Sequence, residues 1–281
     1  MKILLLGANG ALGRQFQILF KSKKLNFFSV TRENFNFKGN YKDIKKIIEL
    51  YKPNFIINCI ALTGLIYCQD KPRLANKINY EIPYKILKII KKKKIKFIHF
   101  SSEAVFEGKI FKKKYSENSI AKPKTIYGIT KLKADKFVMS YKYGIVVRIP
   151  MLFGPTHKKQ IISTLLARIK KKEKTYIADD VYSTPVYSPY LCKFIYDNLL
   201  IKNNFSKKKL IHFTSNRLYS VYDLIIILSK KIKTRDMSKV IRVKDAFFNA
   251  KIDIKPKNLG LKSIYSECIK KIDFKKIDDL L

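Results

Sequence analysis

Met1-Lys2-Ile3-Leu4-Leu5-Leu6-Gly7-Ala8-Asn9-Gly10-Ala11-Leu12-Gly13 opens the chain and decides how the rest is read. Ile3 to Leu6 is an apolar run of strand length, followed at once by glycines spaced three apart. A buried strand that turns sharply into a helix leaves the helix's first N–H groups free, and these can hold a pyrophosphate. Gly7 permits the turn, Gly10 lets the backbone approach the phosphates, and Gly13 lets helix and strand pack closely. The chain has only 10 glycines in 281 residues, so three at these offsets form a selective signal. Asn9, Ala11 and Leu12 complete the expected dinucleotide loop.

Outward from that loop, the pattern alternates. Apolar runs of strand length occur at 2–6, 26–30, 54–60, 95–101, 144–149 and 210–214. Amphipathic or lysine-faced helical stretches lie between them, at 12–22, 41–51, 83–92 and 123–141. Strands apolar on both faces, joined by helical crossovers, predict an α/β fold: a doubly wound parallel Rossmann sheet. The regularity fades after about residue 150. Residues 1–150 are expected to form the NAD(P)-binding domain and 151–281 a smaller C-terminal substrate lobe, interleaved with a last sheet strand near 210–214. Ser183-Thr184-Pro185-Val186 marks a break within that lobe, and Phe153-Gly154-Pro155-Thr156 reads as a plain strand exit.

Composition narrows the function classes. The net charge is +39, yet 52 of the 60 basic residues are lysine and only 8 are arginine. A nucleic-acid binder would favour clustered arginine for phosphate and base contacts. These lysines spread over helix faces and loop ends instead, as at Lys42, Lys45 and Lys46 or Lys91 to Lys94. No nucleic acid partner is expected, although the field will draw anionic ligands. No run approaches the ~18 apolar residues that span a bilayer, and the opening run ends in glycine turn chemistry instead of a cleavage site. No membrane association is expected. Cys59, Cys68, Cys192 and Cys268 make no paired spacing, which fits a reduced, cytoplasmic protein without a metal. His157 and His212 have no second ligand at metal spacing, and mid-strand His99 reads as a core residue.

Reducing a carbonyl requires a proton at oxygen, and a tyrosine of ordinary pKa ~10 can donate it if a nearby cation pulls that value down. Tyr and Lys four apart share one helix face. With 17 tyrosines and 52 lysines, about three Tyr-x-x-x-Lys matches arise by chance, and the chain has four. They are Tyr41/Lys45, Tyr67/Lys71, Tyr84/Lys88 and Tyr127/Lys131. Only Tyr127 lies one element beyond a buried strand that ends in hydroxyls, Ser101 and Ser102. In a doubly wound sheet that strand end borders the ligand crevice, so Ser102 and Tyr127 can meet there.

These motifs together resemble the extended short-chain dehydrogenases/reductases, specifically the dTDP-4-dehydrorhamnose reductase branch, the sugar nucleotide-binding family. The similarity runs through Gly7-x-x-Gly10-x-x-Gly13, Thr31-Arg32, Pro53 to Ala61 with Thr63, Ser101-Ser102-Glu103-Ala104-Val105-Phe106-Glu107-Gly108 and Tyr127 to Lys131. It extends to Lys255-Pro256-Lys257-Asn258, where the family has Arg-Pro-x-Asn. The resemblance implies Ser102, Tyr127 and Lys131 as catalytic hydroxyl, general acid, and the lysine that binds the nicotinamide ribose and acidifies the tyrosine. It implies that Cys59, Ile60, Ala61 and Thr63 line the cofactor, with Thr31, Arg32, Asn36 and Phe37 around its ribose. Arg32 suits the 2′-phosphate of NADPH, while the adjacent Glu33 keeps NADH open. Ser102, Glu103, Ala104, Met151 and Tyr182 are implied around a nucleotide-sugar substrate, and a homodimer is left open.

The sugar side departs from the family pattern. Ala104 replaces a tyrosine, Met151 an aromatic, and Leu65-Ile66-Tyr67-Cys68-Gln69 stands where the family has Val-Asp-x-x-Glu. An intact catalytic set beside altered sugar positions suggests an NADPH-dependent reductase of a 4-keto-6-deoxy nucleotide sugar, serving surface polysaccharide synthesis, with an unusual substrate. Two alternatives stand beside it. One is a non-catalytic regulatory subunit, like that of methionine adenosyltransferase. The other is an epimerase or dehydratase that uses Glu103 beside Ser102. Asp179-Asp180 reads as a loop contact near substrate or a turn.

Overall fold

The computed structural model describes residues 1–31, 41–158, 160–202, 208–230, 237–248, 256–274 and 277. Ile3, Leu4, Leu5 and Leu6 are all fully buried, as a strand covered on both faces requires. They form β1 (Lys2–Leu6), which pairs in parallel with β2 (Asn26–Val30) on one side and β3 (Phe55–Asn58) on the other. With β4 (Lys96–Ser102), β5 (Gly144–Ile149) and β6 (Leu210–His212) they make one parallel sheet in the order β6-β5-β4-β3-β1-β2. The doubly wound sheet read from the sequence is present, with strand ends displaced by one or two residues. The run at 210–214 divides: Leu210–His212 joins the sheet, and Thr214–Ser215 pairs with Ile269–Lys270.

Side chains alternate across the sheet, so β1 feeds two cores. Ile3 and Leu5 pack with Phe16 and Phe20 of α1 (Ala11–Ser22). Leu4 and Leu6 pack with Ile44 and Ile48 of α2 (Tyr41–Tyr51) on the opposite face. A helical stretch follows β3: α3 (Leu65–Asp70), α4 (Pro72–Asn76), a π-helical turn at Lys77–Glu81, and α5 (Ile82–Ile90). The sequence pattern placed the start of α5 at Pro83. The helical stretch begins earlier, with Pro72 in the first turn of α4, where its missing N–H has no partner to lose, and the π turn Lys77–Glu81 runs directly into the residues around Pro83. α6 (Ile126–Ser140) covers the same face as α5.

The topology locates the crevice. The chain leaves β1 to form β2 on one side, then crosses to form β3 on the other, so the strand order reverses between β1 and β3. Ligands of open α/β sheets bind outside the carboxyl ends of strands at such a reversal. Gly7 to Gly13 and Cys59 to Thr63 leave the sheet there.

Beyond β5, α7 (Ile161–Lys170), α8 (Ser188–Phe194) and α9 (Val221–Ser229) alternate with short strands. α8 packs Leu191 and Cys192 into the sheet core beside α1. α7 and α9 enclose a separate core of Ile162, Leu166, Ile169, Leu224, Ile225 and Leu228 with Phe153 and Ile177. Gly260–Leu261 then returns to pair with Lys114–Tyr115. Glu117 fastens this return: its Oε1 accepts from His212 N at 2.8 Å and Ser263 Oγ at 2.5 Å, and its Oε2 from Ile264 N at 2.9 Å. Among the described residues no helix is long and apolar enough to cross a membrane, and no cluster of His, Cys, Asp and Glu could hold a metal ion.

Candidate active site

The glycine loop is shaped by contacts that side chains would obstruct. Gly7 has φ +77°, and a Cβ there would stand 2.9 Å from Cys59 C and Ile60 N, so only glycine lets the β1 and β3 exits touch. At Gly13 a Cβ would come within 2.3 Å of Gly7 O. At Gly10 it would meet only Gly7 O, at 3.2 Å, leaving that side open. Gly7 N and Ala8 N donate to Val30 O at 3.0 and 3.1 Å, anchoring the loop to β2. α1 begins at Gly10 with no side-chain cap and no acidic residue in its first turn. An uncapped helix start facing an open glycine cradle fits a pyrophosphate. Asn9 and Gly10 are exposed, Ala11 and Leu12 half-buried. Across the crevice Cys59 and Ala61 are half-buried, Ile60 is buried and Thr63 exposed. Thr31 is half-buried at the end of β2; Arg32, Asn36 and Phe37 lie outside the described residues, as does Lys255.

Gly128 brings α6, the helix of Tyr127 and Lys131, to β4. A Cβ on it would lie 2.1 Å from Ala104 O, so the α6 backbone sits directly on the short helical turn Glu103–Val105 that follows β4. Thr125 caps α6 by accepting from Gly128 N at 3.2 Å, and Gln69 Oε1 accepts from Ile126 N at 3.4 Å. Gln69, where the family has a carboxylate, thus still holds the start of α6. Ser102 Oγ accepts from Ala104 N at 3.2 Å, and its hydroxyl is near enough to the Tyr127 phenol to lower that group's pKa. Ser102 and Tyr127 meet as the sequence implied.

Lys131 differs from the lysines of the three other Tyr-x-x-x-Lys pairs. It is 1% exposed, whereas Lys45, Lys71 and Lys88 are exposed. Its Nζ donates to Phe100 O at 2.5 Å and lies 3.3 Å from His99 Nε2. Burial draws Lys131 down to about 8, against the pull of Asp135. One expectation is corrected here. The tyrosine was to be acidified by Lys131, but burial around the phenol pushes it up to about 12, and the Ser102 hydroxyl alone lowers it. Lys131 turns its charge toward β4 instead. Tyr127 therefore keeps its proton at neutral pH and stands as a donor.

The residues expected around a substrate are spread over several segments. Glu103 is buried; its Oε2 accepts from Ser183 Oγ at 2.8 Å, and burial raises its carboxyl to about 8. Ala104 is buried against Gly128. Met151 packs on the core of α7 and α9, its N donating to Ser183 Oγ at 3.4 Å. Tyr182 meets Phe111 edge to face at 5.5 Å, with Lys112 above both rings. Of the altered positions, Ile66 is exposed. Asp179 pairs with Arg242 and Lys244, and Asp180 with Lys257, so the acidic pair ties segments together.

Three supporting residues escaped the sequence reading: Asn79, Asp135 and Arg148. Asn79, fully buried in the π-helical turn, accepts from Leu62 N at 2.8 Å and donates to Leu62 O at 3.1 Å and Thr130 Oγ1 at 3.2 Å. It clamps the β3 exit to the helix between Tyr127 and Lys131. Asp135, one turn beyond Lys131, is paired with Arg148 at 3.0 Å, both fully enclosed. His99 is buried as expected, yet it contacts the lysine. The clue to Asp135 was legible: it continues the Tyr127, Lys131 spacing by four.

The RmlD substrate binding domain family matches residues 1–267. dTDP-4-dehydrorhamnose reductase of Aggregatibacter actinomycetemcomitans is 24% identical over 232 residues, covering 81% of this chain and 78% of that protein. Methionine adenosyltransferase 2 subunit beta of Xenopus laevis is 27% identical over 183 residues, covering 62% of this chain and 54% of that protein, so the match spans about half that relative's length. The solved dTDP-4-dehydrorhamnose reductase of Bacillus anthracis, in complex with NADP, superposes with a TM-score of 0.83 at 21% identity over 93% of this chain and 90% of that one, a likeness of fold. The resemblance drawn from the motifs is borne out: the chain belongs to the RmlD substrate binding domain family.

Proposed function

We propose that the chain is an NADPH-dependent reductase of a nucleotide-activated 4-keto-6-deoxy sugar, acting in surface polysaccharide synthesis. The observation that carries this reading is the close approach of α6 at Gly128 to the turn after β4, which sets Tyr127 and buried Lys131 next to Ser102 at the carboxyl end of that strand. Gly7, Gly10 and Gly13 with the start of α1 would hold the pyrophosphate, and Cys59 to Thr63 would line the opposite wall. Held by these residues, a nicotinamide cofactor would supply the hydride for the keto carbon. Ser102 donates to the substrate oxygen and fixes its direction. Tyr127, which holds its proton at neutral pH, delivers it to that oxygen as charge develops. The segments carrying Met151 and Tyr182, in the part of the chain from 151 onward, would receive the sugar. Relatives named as dTDP-4-dehydrorhamnose reductases and the NADP complex support the cofactor and substrate class.

The test is to mix the purified protein with NADPH and a panel of dTDP-4-keto-6-deoxy sugars and follow loss of NADPH absorbance. Consumption that disappears in Tyr127→Phe supports the reading; cofactor binding without consumption on any sugar overturns it. A second reading, a non-catalytic NADP-binding regulatory subunit, is favoured by the methionine adenosyltransferase beta relatives. It requires that NADPH bind without turnover and that the protein alter the activity of a methionine adenosyltransferase.

A further inference from the structure

The catalytic lysine of the proposed reaction meets β4 through two atoms, Phe100 O and His99 Nε2. The other ring nitrogen of His99, Nδ1, lies 3.0 Å from Asn58 Nδ2. The backbone decides which way the Asn58 amide faces, because its Oδ1 accepts from Ile60 N at 3.1 Å. The amino group therefore faces the imidazole. An amide nitrogen only donates, so Nδ1 must accept, and the proton of the neutral ring sits on Nε2. That N–H points at Lys131 Nζ.

We propose that Asn58 and His99 are positioning residues that bias Lys131 toward its neutral amine, by presenting Nζ with a hydrogen-bond donor in place of an acceptor. With a neutral amine, every bond runs in one direction: Ile60 N–H to Asn58 Oδ1, Asn58 N–H to His99 Nδ1, His99 N–H to Lys131 Nζ, and Lys131 N–H to Phe100 O. With an ammonium, two donors face each other at 3.3 Å between two fully buried side chains. Other groups act on Lys131 as well. Asp135 on α6 favours the ammonium, but Arg148 shares that carboxylate. Cys59 faces it from the β3 exit, and burial raises that thiol, keeping it uncharged. The lowered proton affinities of Lys131 and His99 accord with this arrangement. A lysine poised this way can give up and regain a proton near neutral pH, which a fixed ammonium cannot.

What this means for turnover rests on the reductase reading; the tautomer and the proton affinity of Lys131 do not, and both can be read on the protein alone. The chain has three histidines, so ring ¹⁵N signals are assignable, with His99→Gln removing the one of interest. Lysine ¹³Cε titration reads Lys131, identified by the signal lost in Lys131→Arg. The wild-type protein should show His99 protonated at Nε2 from about pH 6 to 9. Asn58→Asp supplies a carboxylate that only accepts, so it should move the ring proton to Nδ1 and raise the Lys131 midpoint by about one pH unit, a tenfold gain in proton affinity. A wild-type ring protonated at Nδ1 overturns the proposal. So does an unmoved Lys131 midpoint in Asn58→Asp once its tautomer has switched. Should Asn58→Asp fail to fold, the wild-type ring spectrum alone decides. Absence of sugar reduction with the tautomer as stated defeats the reductase reading and leaves this one standing.

Discussion

Substituting alanine at Gly10 and at Gly13 separates the two jobs assigned to the loop. At Gly13 the new methyl would stand 2.3 Å from Gly7 O, 2.8 Å from Ala8 Cα and 2.9 Å from Ala8 O, where ordinary contact begins at 3.4 Å. All three obstructions are backbone, so no rotamer can yield and α1 must move about 1 Å from β1. Overpacking of this kind costs roughly 1–3 kcal/mol. In a chain of this size each kcal/mol lowers Tm by about 2–4 °C, so Gly13→Ala should melt roughly 2–12 °C early. At Gly10 the methyl meets only Gly7 O at 3.2 Å, and the backbone there, φ −71° and ψ 163°, suits alanine. Gly10→Ala should therefore stay within about 1 kcal/mol of wild type, as for a changed N-cap. Its methyl instead fills the approach of the phosphates, and NADPH affinity should fall at least about tenfold, or 1.4 kcal/mol. Circular dichroism melts and NADPH fluorescence titrations measure the two quantities separately. Wild-type NADPH affinity in Gly10→Ala would refute pyrophosphate binding at this loop. A melt within about 1 °C of wild type in Gly13→Ala would refute the close-approach argument.

Tyr127→Phe removes the proton donor and should cut kcat at least about 100-fold while NADPH titrations stay near wild type; retained turnover would mean another acid serves the reaction. Glu103 keeps its proton up to about pH 8 when folded, against 4.5 for an ordinary carboxyl. The folded chain then holds a proton the unfolded chain releases, so stability falls as pH rises through that window, by at most about 1.4 kcal/mol per unit. Urea unfolding of Glu103→Gln between those pH values should lose this slope, and an unchanged slope counts against the assignment. Arg148→Ala leaves Asp135 enclosed without its partner and should destabilise by about 3–5 kcal/mol, with Asp135→Asn in the same chain recovering much of it; an unaffected single variant would show that the pair contributes little.

The sheet was legible because its strands are apolar on both faces, a pattern that survives any choice of crossover helix. Ser102, Tyr127 and Lys131 were legible because each sits on a motif whose backbone purpose can be stated, such as Gly128 meeting Ala104 O. Asn79 was not. Its side chain reaches Leu62 from the π turn at Lys77–Glu81, and no apolar period announces such a turn. The phenol's direction of shift was missed for a related reason. The Tyr127, Lys131 spacing says that two side chains share a face, yet says nothing of a carbonyl such as Phe100 O that draws the Lys131 amine away. The split of the run at 210–214 was likewise invisible, since Thr214–Ser215 takes its partner, Ile269–Lys270, from far along the chain.

Glu117 places a condition on the order of assembly. One carboxylate gathers β6, through His212 N, and the returning segment, through Ser263 and Ile264. These donors are separated from it by 95 to 147 residues, so their loops close late and at high entropic cost. As the chain leaves a ribosome, β1 to β5 can pair while the outermost parallel strand still lacks its fastening. The strands that carry the glycine loop can thus form early on a partly open sheet edge, and that edge is secured only after residues 260–264 emerge.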